Sequence, residues 1–237
     1  RSERKGLGMS EKLYSIKAVW RTVQGEGAWA GRPAVFVRFT GCNMWTGYEK
    51  DRERDAQRHG ADCPLWCDTD FTREGARKLT ASELVQEALA AGGDIRFCVL
   101  TGGEPFLQAD GMLVRSLQEA GFFVATETNG TVALGEAFGD DPPNWVVCSP
   151  KLPADQLVIE RMDELKLVVP DYRPGNYASL VEQTTRHKFN EVETRFLWLQ
   201  PEDGSRLEQA KRMAIDLAQS NPIWRVSVQT HKVLGVE

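Results

Sequence analysis

Residues 95–130 read "IRFCVLTGGEPFLQADGMLVRSLQEAGFFVATETNG", with a short apolar run at each end of an amphipathic stretch. The runs 95–101 and 122–128 are rich in β-branched and aromatic residues, which is typical of strands buried on both faces. Between them, residues 110–122 repeat apolar positions at helical spacing. Strand, helix and strand in this order predict two parallel strands joined by a crossover helix.

The same alternation continues on both sides of this unit. Further strands are predicted at 34–39, 145–149, 164–169 and 194–200, with 224–230 as a candidate seventh. A helix is predicted at 80–93, where Thr80 and Glu83 have capping-box spacing, and another at 205–222. The pattern predicts an α/β fold with a mainly parallel sheet, either open or curved toward a barrel.

The composition excludes several classes of protein. The chain has 237 residues, 41% of them hydrophobic, and a formal charge of −5, which suits one soluble domain with a sizeable core. The net negative charge does not favour binding to nucleic acid, and no apolar run is long enough to span a membrane. We expect residues 1–13 to be a disordered tail or residues added for expression. Residues 14–237 are expected to form one domain, with an insertion at 44–62. Residues 47–62 of the insertion are rich in both charge signs and are expected to be a solvated segment and a candidate helix.

Polar or glycine-containing tails follow most of the predicted strands. They read "RFTGC", "TGGEP", "ETNG", "SPK", "LQP" and "QTHK" in chain order. Ligands of parallel sheets bind at the carboxyl ends of the strands, so these tails predict a single pocket on one rim. Each tail taken alone is also an ordinary strand-ending turn, because turns require the same residue types.

The cysteines indicate a metal or cluster site. They are Cys42, Cys63, Cys67, Cys98 and Cys148. An odd number and no secretory signal favour a reducing cytoplasm, where thiols serve as ligands or buried groups. The first three could hold an iron–sulfur cluster, join His59 in a zinc site, or be scattered structural residues. The last two lie inside apolar runs and are predicted to be buried.

The motif "TGGEP" at 101–105 favours the cluster, because its glycines allow close approach of a ligand and Glu104 can accept hydrogen bonds from an ammonium group. With the three cysteines, it makes the chain resemble the radical S-adenosylmethionine (AdoMet) superfamily, and within it the 7-carboxy-7-deazaguanine synthase family. The matching segments are 22–43, 67–71, 101–105, 127–130, 149–151, 164–170, 199–201 and 228–232. The cysteine spacing departs from the usual Cys-x₃-Cys-x₂-Cys, with gaps of 20 and 3 residues.

The resemblance implies a lyase that converts 6-carboxy-5,6,7,8-tetrahydropterin to 7-carboxy-7-deazaguanine with loss of ammonia, in queuosine and other 7-deazapurine biosynthesis. It implies an incomplete (β/α) barrel with about six parallel strands and few helices. The implied cofactors are a [4Fe–4S] cluster, AdoMet and Mg²⁺. The implied partners are the pterin substrate, a flavodoxin- or ferredoxin-type reductant and a second copy in a homodimer, with neither nucleic acid nor membrane.

The resemblance also implies roles for individual residues. Cys42, Cys63 and Cys67 bind the cluster, and Thr69 binds magnesium with support from Asp68 and Asp70. The residues implied for AdoMet are Trp66, Gly102, Gly103, Glu104, Glu127, Ser149, Lys151 and Gln200. Those implied for the substrate are Gln24, Glu26, Gly27, Arg38, Thr101, His231 and, through its terminal carboxylate, Glu237.

Two alternatives remain open from the sequence. One is another small radical AdoMet enzyme, such as a glycyl-radical activating enzyme, against which "QGEG" at 24–27 and "QTHK" at 229–232 argue. The other is a zinc-stabilised binding protein without radical chemistry.

Overall fold

The structure, a computed structural model, describes residues 11–61, 67, 69–189 and 192–236. Its strands are β1 (Tyr14–Val23), β2 (Pro33–Phe39), β3 (Arg77–Leu79), β4 (Phe97–Gly102), β5 (Phe123–Thr128), β6 (Trp145–Cys148), β7 (Glu164–Val169), β8 (His187–Phe189), β9 (Val192–Thr194), β10 (Phe196–Pro201) and β11 (Arg225–Val226). Its α-helices are α1 (Arg52–His59), α2 (Ala81–Gly92), α3 (Gly111–Glu119), α4 (Leu134–Phe138), α5 (Ala178–Gln183), α6 (Leu207–Ser220) and α7 (Thr230–Leu234). Within these described ranges, no helix combines the length and the apolar character needed to cross a membrane.

The strands form one large sheet in the order β11-β10-β7-β6-β5-β4-β2-β1-β3. Every pair from β11 to β2 is parallel, whereas β1 runs antiparallel to both β2 and β3. Strands β8 and β9 form a separate hairpin. Because β11 and β3 are the two edges, the sheet does not close. The predicted α/β fold, mostly parallel and short of a complete barrel, is confirmed.

All six strands that were predicted without reservation are present, and the bounds of each lie within two residues of the expected ones. The candidate seventh strand shrinks to Arg225–Val226, because the chain then leaves the sheet and the amide of Thr230 donates to the carbonyl of Gly25. Strand β1 was not predicted. Its side chains do not alternate between buried and exposed, and a register irregularity lies between Ile16 and Ala18, so the period-2 pattern of a half-buried strand is missing.

The two faces of the sheet have different chemistry. Helices α2, α3 and α6 cover the outer face, where side chains such as Leu100, Val124 and Leu165 are fully buried. Burial of each such side chain contributes about 1.5–3 kcal/mol to stability. The inner face carries a smaller apolar cluster near the start of the strands, including Val99 and Trp145. Toward the strand ends this inner face becomes polar, which leaves room for a site.

The capping box predicted for α2 is present. The amide of Glu83 donates to Thr80 Oγ1 at 3.2 Å, and the amide of Thr80 donates to Glu83 Oε2 at 2.8 Å.

Replacing Thr80 by Ala should therefore lower the free energy of unfolding by about 1 kcal/mol. That corresponds to a fall in melting temperature of roughly 2–4 °C in thermal unfolding. Ser82→Ala, at an exposed position of the same helix, is the matched control and should leave the melting temperature within about 1 °C. Equal melting temperatures for the two variants would contradict the capping role.

The insertion at 44–62 was predicted to be a solvated, charge-rich segment, and this prediction is only half right. It contains helix α1, but Trp45, Arg52 and Ala56 are buried. The guanidinium of Arg52 lies 3.9 Å from the centroid of the Trp45 ring and donates to the carbonyl of Cys67 at 3.3 Å. Met44, Trp45, Ala56, Phe71 and Leu152 form a small core of their own. The insertion thus has a charged outer face and apolar residues on its other face, and these apolar residues hold it beside the loop that carries Cys67.

Candidate active site

A cleft of about 170 Å³ opens at the carboxyl ends of the parallel strands. Ten residues predicted for the site line it: Glu26, Cys67, Thr69, Thr101, Gly102, Gly103, Glu127, Ser149, Lys151 and Gln200. They come from segments spread over most of the chain. Parallel strands bring their carboxyl ends to one edge of the sheet, and this edge is where the predicted residues converge.

Side chains at the ends of β4, β5 and β6 form the polar wall of the cleft. Thr101 and Glu127 project from the inner face, and Thr101 Oγ1 donates to Glu127 Oε2 at 3.3 Å. Just beyond β6, Lys151 Nζ donates to Ser149 Oγ at 3.1 Å. A carboxylate, hydroxyls and an ammonium group are thus exposed to the same space, which suits a ligand with hydroxyls and a carboxylate of its own.

Gly102 and Gly103 leave the backbone open to the cleft. Gly102 has φ +140°, and a Cβ there would lie 2.7 Å from the amide nitrogen of Phe39. A Cβ at Gly103 would lie 2.6 Å from the carbonyl carbon of Gly41 and 2.9 Å from Cβ of Cys42. Both positions therefore exclude any side chain, and the second one preserves the space around a predicted cluster ligand.

Cys67 lines the cleft, Cys42 lies beside Gly103 of the cleft wall, and both pack against the small core of the insertion. The amide of Met44 donates to Cys42 Sγ at 3.4 Å, and Asn129 Nδ2 lies 4.0 Å from the same sulfur. Burial raises the pKa of the Cys42 thiol to about 11. A thiolate at this position therefore needs a compensating cation, and bound metal supplies it. The donors aimed at the sulfur fit an iron–sulfur cluster, whose sulfurs accept such hydrogen bonds.

The predicted cluster trio is only partly described. Cys63, Trp66 and Glu237 lie outside the described residues, so their expected roles stay predictions. Among the described residues, no three Cys, His, Asp or Glu side chains are grouped as metal ligands would be. Cys98 and Cys148 are fully buried on the outer face, as predicted, and burial raises the pKa of each thiol to about 12.

Glu104 lies under the floor of the cleft rather than on its surface. Its side chain is fully buried and accepts hydrogen bonds from the amides of Phe106 and Asn129 and from Thr128 Oγ1, at 3.0, 2.7 and 2.9 Å. Burial raises the pKa of this carboxyl to about 7. Glu104 thus ties the glycine turn to the end of β5. Its expected contact with a ligand ammonium stays a prediction.

The carboxylate of Glu26 accepts hydrogen bonds from three side chains at the cleft. Its Oε1 accepts from Gln200 Nε2 at 2.9 Å and from Gln229 Nε2 at 2.8 Å, and its Oε2 forms a short ion pair with Lys166 Nζ. Burial by itself would raise the pKa of Glu26. The charge of Lys166 and the three donors outweigh it and lower the pKa to about 2. Glu26 is therefore an ionised acceptor at neutral pH.

The loop "QGEG" around Glu26 is held close to the C-terminal segment. Gln24 is buried and its Oε1 accepts from the amide of Glu26 at 3.1 Å. A Cβ at Gly25 would lie 2.6 Å from Cγ of His231, so this glycine lets the imidazole pack against the loop. Gly27 has φ +67° and faces Glu164, whose Oε2 accepts from the amide of Ala28 at 2.9 Å. Gln24, Gly27 and His231 support the cleft from its edge.

Arg38 lies beside Thr101, with which it is paired in register across β2 and β4. Its guanidinium lies over the ring of Trp20, 4.6 Å from the ring centroid. Paired residues of neighbouring parallel strands project to the same face, so Arg38 is next to the cleft wall. Its expected role as a fork for a substrate carboxylate stays a prediction.

Thr69 lines the cleft, but the acidic residue beside it is engaged elsewhere. Asp70 pairs with Lys17 at 2.8 Å and accepts from Thr72 Oγ1 at 2.7 Å. The hydrogen bonds from Lys17 and Thr72 lower the pKa of Asp70 to about 2. The structure therefore places Asp70 in a surface ion pair, and Asp68 lies outside the described residues. Of the two described residues expected around magnesium, Thr69 lines the cleft and Asp70 does not.

Several residues of the cleft were not predicted from the sequence. They are Thr128, Asn129, Lys166, Val168, Pro201, Glu202, Asp203 and Gln229. The alternation of Glu164 and Lys166 inside the otherwise apolar run "ELKLVV" was a usable signal for one of them. Two charged residues at i and i+2 of a buried strand share one face and must find partners there. Gln229 offered no comparable signal.

The chain resembles known proteins over almost its whole length. It is 42% identical over 234 residues to the 7-carboxy-7-deazaguanine synthase of Bordetella pertussis. It is 41% identical over 232 residues to that of Bradyrhizobium diazoefficiens and 40% identical over 232 residues to that of Burkholderia multivorans. Each comparison covers 94% of this chain and 99% of the relative.

The fold also has a solved counterpart. The crystal structure of QueE from Escherichia coli matches with a TM-score of 0.63 over 92% of this chain and 94% of the other. The sequence identity is 24%, so this match concerns the fold. No protein-family model matches the chain.

Proposed function

The chain belongs to the 7-carboxy-7-deazaguanine synthase family, and on that basis we propose that it converts 6-carboxy-5,6,7,8-tetrahydropterin to 7-carboxy-7-deazaguanine with release of ammonia. The observation that carries the proposal is the cleft, where Cys67, Gly102, Gly103, Glu127 and Glu26 meet at the carboxyl ends of the strands. This step belongs to queuosine and 7-deazapurine biosynthesis, and it makes the protein a radical AdoMet lyase.

Enzymes of this family use a [4Fe–4S] cluster, AdoMet and Mg²⁺. When bound, the cluster and AdoMet supply hydrogen-atom abstraction chemistry that no side chain of the chain provides. We assign the cluster to Cys42, Cys67 and Cys63. Cys67 is supported by its position in the cleft lining, and Cys42 by the Met44 amide directed at its Sγ. The third rests on the sequence alone.

The AdoMet subsite is assigned to the strand ends on either side of the glycine turn. The methionine end is assigned to Gly102 and Gly103, which line the cleft. A Cβ at either position would meet the backbone of Phe39 or Gly41, so the turn keeps its place only with glycine. Glu127 accepts from ribose hydroxyls, and Ser149 and Lys151 bind the carboxylate or ribose. Gln200 takes part from β10, where its amide already donates to Glu26. Gln200 therefore borders both the cofactor and the substrate.

The substrate subsite is assigned to the opposite side of the cleft, around Glu26. An ionised carboxylate suits the amino-pyrimidinone edge of a pterin, which presents neighbouring N–H donors. Thr101 and Arg38 lie on the adjacent strands and would contact the polar ring and its carboxylate. His231 and the terminal carboxylate of Glu237 are assigned to the same subsite from the C-terminal segment. The protein thus orients the substrate and excludes water from it.

Magnesium is assigned to Thr69. A hard cation takes oxygen ligands, and a threonine hydroxyl with the substrate carboxylate and water provides them. Thr69→Ala should raise the Mg²⁺ concentration required for half-maximal turnover, measured by titrating Mg²⁺ into the anaerobic assay. Thr72→Ala is the matched control, because Thr72 binds Asp70 and does not line the cleft. An unchanged magnesium titration in Thr69→Ala would remove the assignment.

The remaining assignments rest on the family. We propose a cytoplasmic homodimer that receives electrons from a flavodoxin- or ferredoxin-type protein, with residues 14–237 as a single domain and 44–62 as its insertion. The relatives are matched over nearly their whole length, which supports the same general organisation.

The direct test is anaerobic turnover of 6-carboxy-5,6,7,8-tetrahydropterin by the reconstituted protein with AdoMet, Mg²⁺ and a reductant. We expect 7-carboxy-7-deazaguanine by mass spectrometry, with an equal amount of ammonia. Omitting AdoMet should stop both. Reconstituted protein that holds zinc in place of iron and sulfide, or that consumes AdoMet without forming this product, would contradict the proposal.

A further inference from the structure

The inner face of β7 carries two buried charged side chains, Glu164 and Lys166. Only 1% and 5% of their surfaces are exposed. Lysines are almost never buried to this extent unless they are paired, because removing an ammonium group from water is costly. The partners of Lys166 therefore indicate what the residue is for.

The partners of Lys166 belong to both subsites assigned above. Its Nζ pairs with Glu26 Oε2 and lies 4.0 Å from Glu127 Oε1. Glu26 lies on the loop between β1 and β2, and Glu127 lies at the end of β5. The two carboxylates would repel each other in this space without a cation between them. Lys166 is that cation, and it holds together two segments that are not neighbours in the sheet.

The contacts of Glu26 leave its carboxylate little freedom. Gln200 and Gln229 both donate to Oε1, so Lys166 alone orients Oε2 in the described structure. Removing the ammonium group would leave a buried carboxylate with two neutral donors on one oxygen. Such a carboxylate takes up a proton more readily, because burial disfavours its charged form.

We propose that Lys166 is a positioning residue, which keeps Glu26 ionised and correctly oriented for the pterin edge and links it to Glu127 on the AdoMet side. The inference rests on the proposed function for the identity of the ligands, but not for the ion pair itself. The ammonium group of Lys166 is engaged by Glu26 and Glu127, so we expect it to act on the ligands through these two carboxylates. Its loss should therefore affect substrate binding more than the chemical step.

The electrostatics agree with this geometry. The groups that act on the Glu26 carboxylate are Lys166, Gln200 and Gln229, and those that act on Lys166 are Glu26, Glu127 and Glu164. His231 packs against the neighbouring Gly25. Burial by itself would lower the pKa of Lys166, but the charges of Glu127, Glu26 and Glu164 raise it above its usual value. Lys166 is therefore protonated at neutral pH, and its charge keeps Glu26 ionised.

The structure offers a matched control two residues away. Glu164 is buried on the same face of β7, and it accepts from the amide of Ala28 at 2.9 Å and from Trp145 Nε1 at 2.5 Å. It supports the backbone after Glu26 without touching the Glu26 carboxylate. Glu164→Gln therefore disturbs a buried polar group of β7 while leaving the ion pair between Lys166 and Glu26 in place.

The test compares Lys166→Met, Lys166→Arg and Glu164→Gln by KM for the pterin between pH 6 and 9. In Lys166→Met, KM should rise at least about tenfold at pH 7, as expected for a lost charge-assisted hydrogen bond. KM should then fall as pH increases and Glu26 loses its proton. Lys166→Arg should recover a flat profile, and Glu164→Gln should keep the wild-type dependence on pH. A rise in KM that is equal at every pH, or no rise, would overturn the inference.

A second measurement separates this inference from the proposed function, because it needs no turnover. The carboxyl signals of protein labelled with [δ-¹³C]glutamate are followed by NMR from pH 5 to 8, and Glu26 is assigned by its loss in Glu26→Gln. Glu26 should not titrate in the wild type and should titrate in Lys166→Met. A Glu26 that stays ionised throughout in folded Lys166→Met would refute the role, whatever the substrate proves to be.

Discussion

Replacing Cys42 or Cys67 by serine should yield a folded protein that holds no [4Fe–4S] cluster and shows no detectable turnover. A serine hydroxyl is similar in size to the thiol but is not the soft thiolate that binds iron and sulfide clusters. Both thiols pack against the small core of the insertion, so the change removes a ligand without opening the main core. Iron and sulfide analysis after anaerobic reconstitution measures the outcome.

The control for this prediction is Cys98→Ala. Cys98 is fully buried in the outer core and does not line the cleft, so the variant should retain the iron and sulfide content of the wild type. Cys63→Ala, whose site lies outside the described residues, extends the series and should also abolish the cluster. Full cluster content in any one of the Cys42, Cys63 or Cys67 variants would show that the altered residue is not a ligand.

Replacing Gly103 by alanine should strongly destabilise the protein. The new Cβ would lie 2.6 Å from the carbonyl carbon of Gly41 and closer still to its oxygen. The neighbouring amide of Glu104 donates to that same carbonyl at 3.0 Å, so the backbone cannot move aside without losing this bond. We expect a cost of about 3 kcal/mol. Thermal unfolding of the metal-free protein should show a melting temperature lower by roughly 6–12 °C.

Gly135→Ala is the matched control. Gly135 lies within α4, and no heavy atom lies within 4 Å of a Cβ built on it. Alanine there should leave the melting temperature unchanged or raise it slightly, because alanine favours a helix over glycine. If both variants melted at the same temperature, the close contact between the turns at Gly103 and Gly41 would not be a constraint on the folded protein.

The predictable part of the fold is its parallel core. Six strands and helices α2, α3 and α6 were expected from apolar runs, helical spacing and one capping box, all of which are local signals. Strand β1 was not, because its side chains do not alternate between buried and exposed as those of a half-buried strand do. The insertion appeared solvated because α1 is rich in charge, yet Arg52 covers Trp45 and joins the loop of Cys67. The insertion buries one face because residues distant in sequence, Phe71 and Leu152, pack against it in the folded chain.

The candidate site also has a part that the sequence predicts and a part that it does not. Thr101, Glu127, Ser149 and Gln200 were expected at one rim because each lies at or just after the end of a predicted strand. The environment of Glu26 was not expected. Its ion-pair partner Lys166 is 140 positions away in the chain, and its donor Gln229 is 203 positions away. Glu104 was expected at the surface of the cleft, but three protein donors hold it beneath the floor.

The sequence by itself determined the parallel core strands and the rim at which the polar residues collect, because crossover connections oblige parallel strands to end at the same edge. The tertiary structure alone decided which side chains are buried, which carboxylates are paired and which one is held ionised. Charge interactions depend on distance and burial in space, and chain separation encodes neither. Glu26 reads in the sequence as one acid in a glycine-rich loop, and the fold makes it the centre of the cleft.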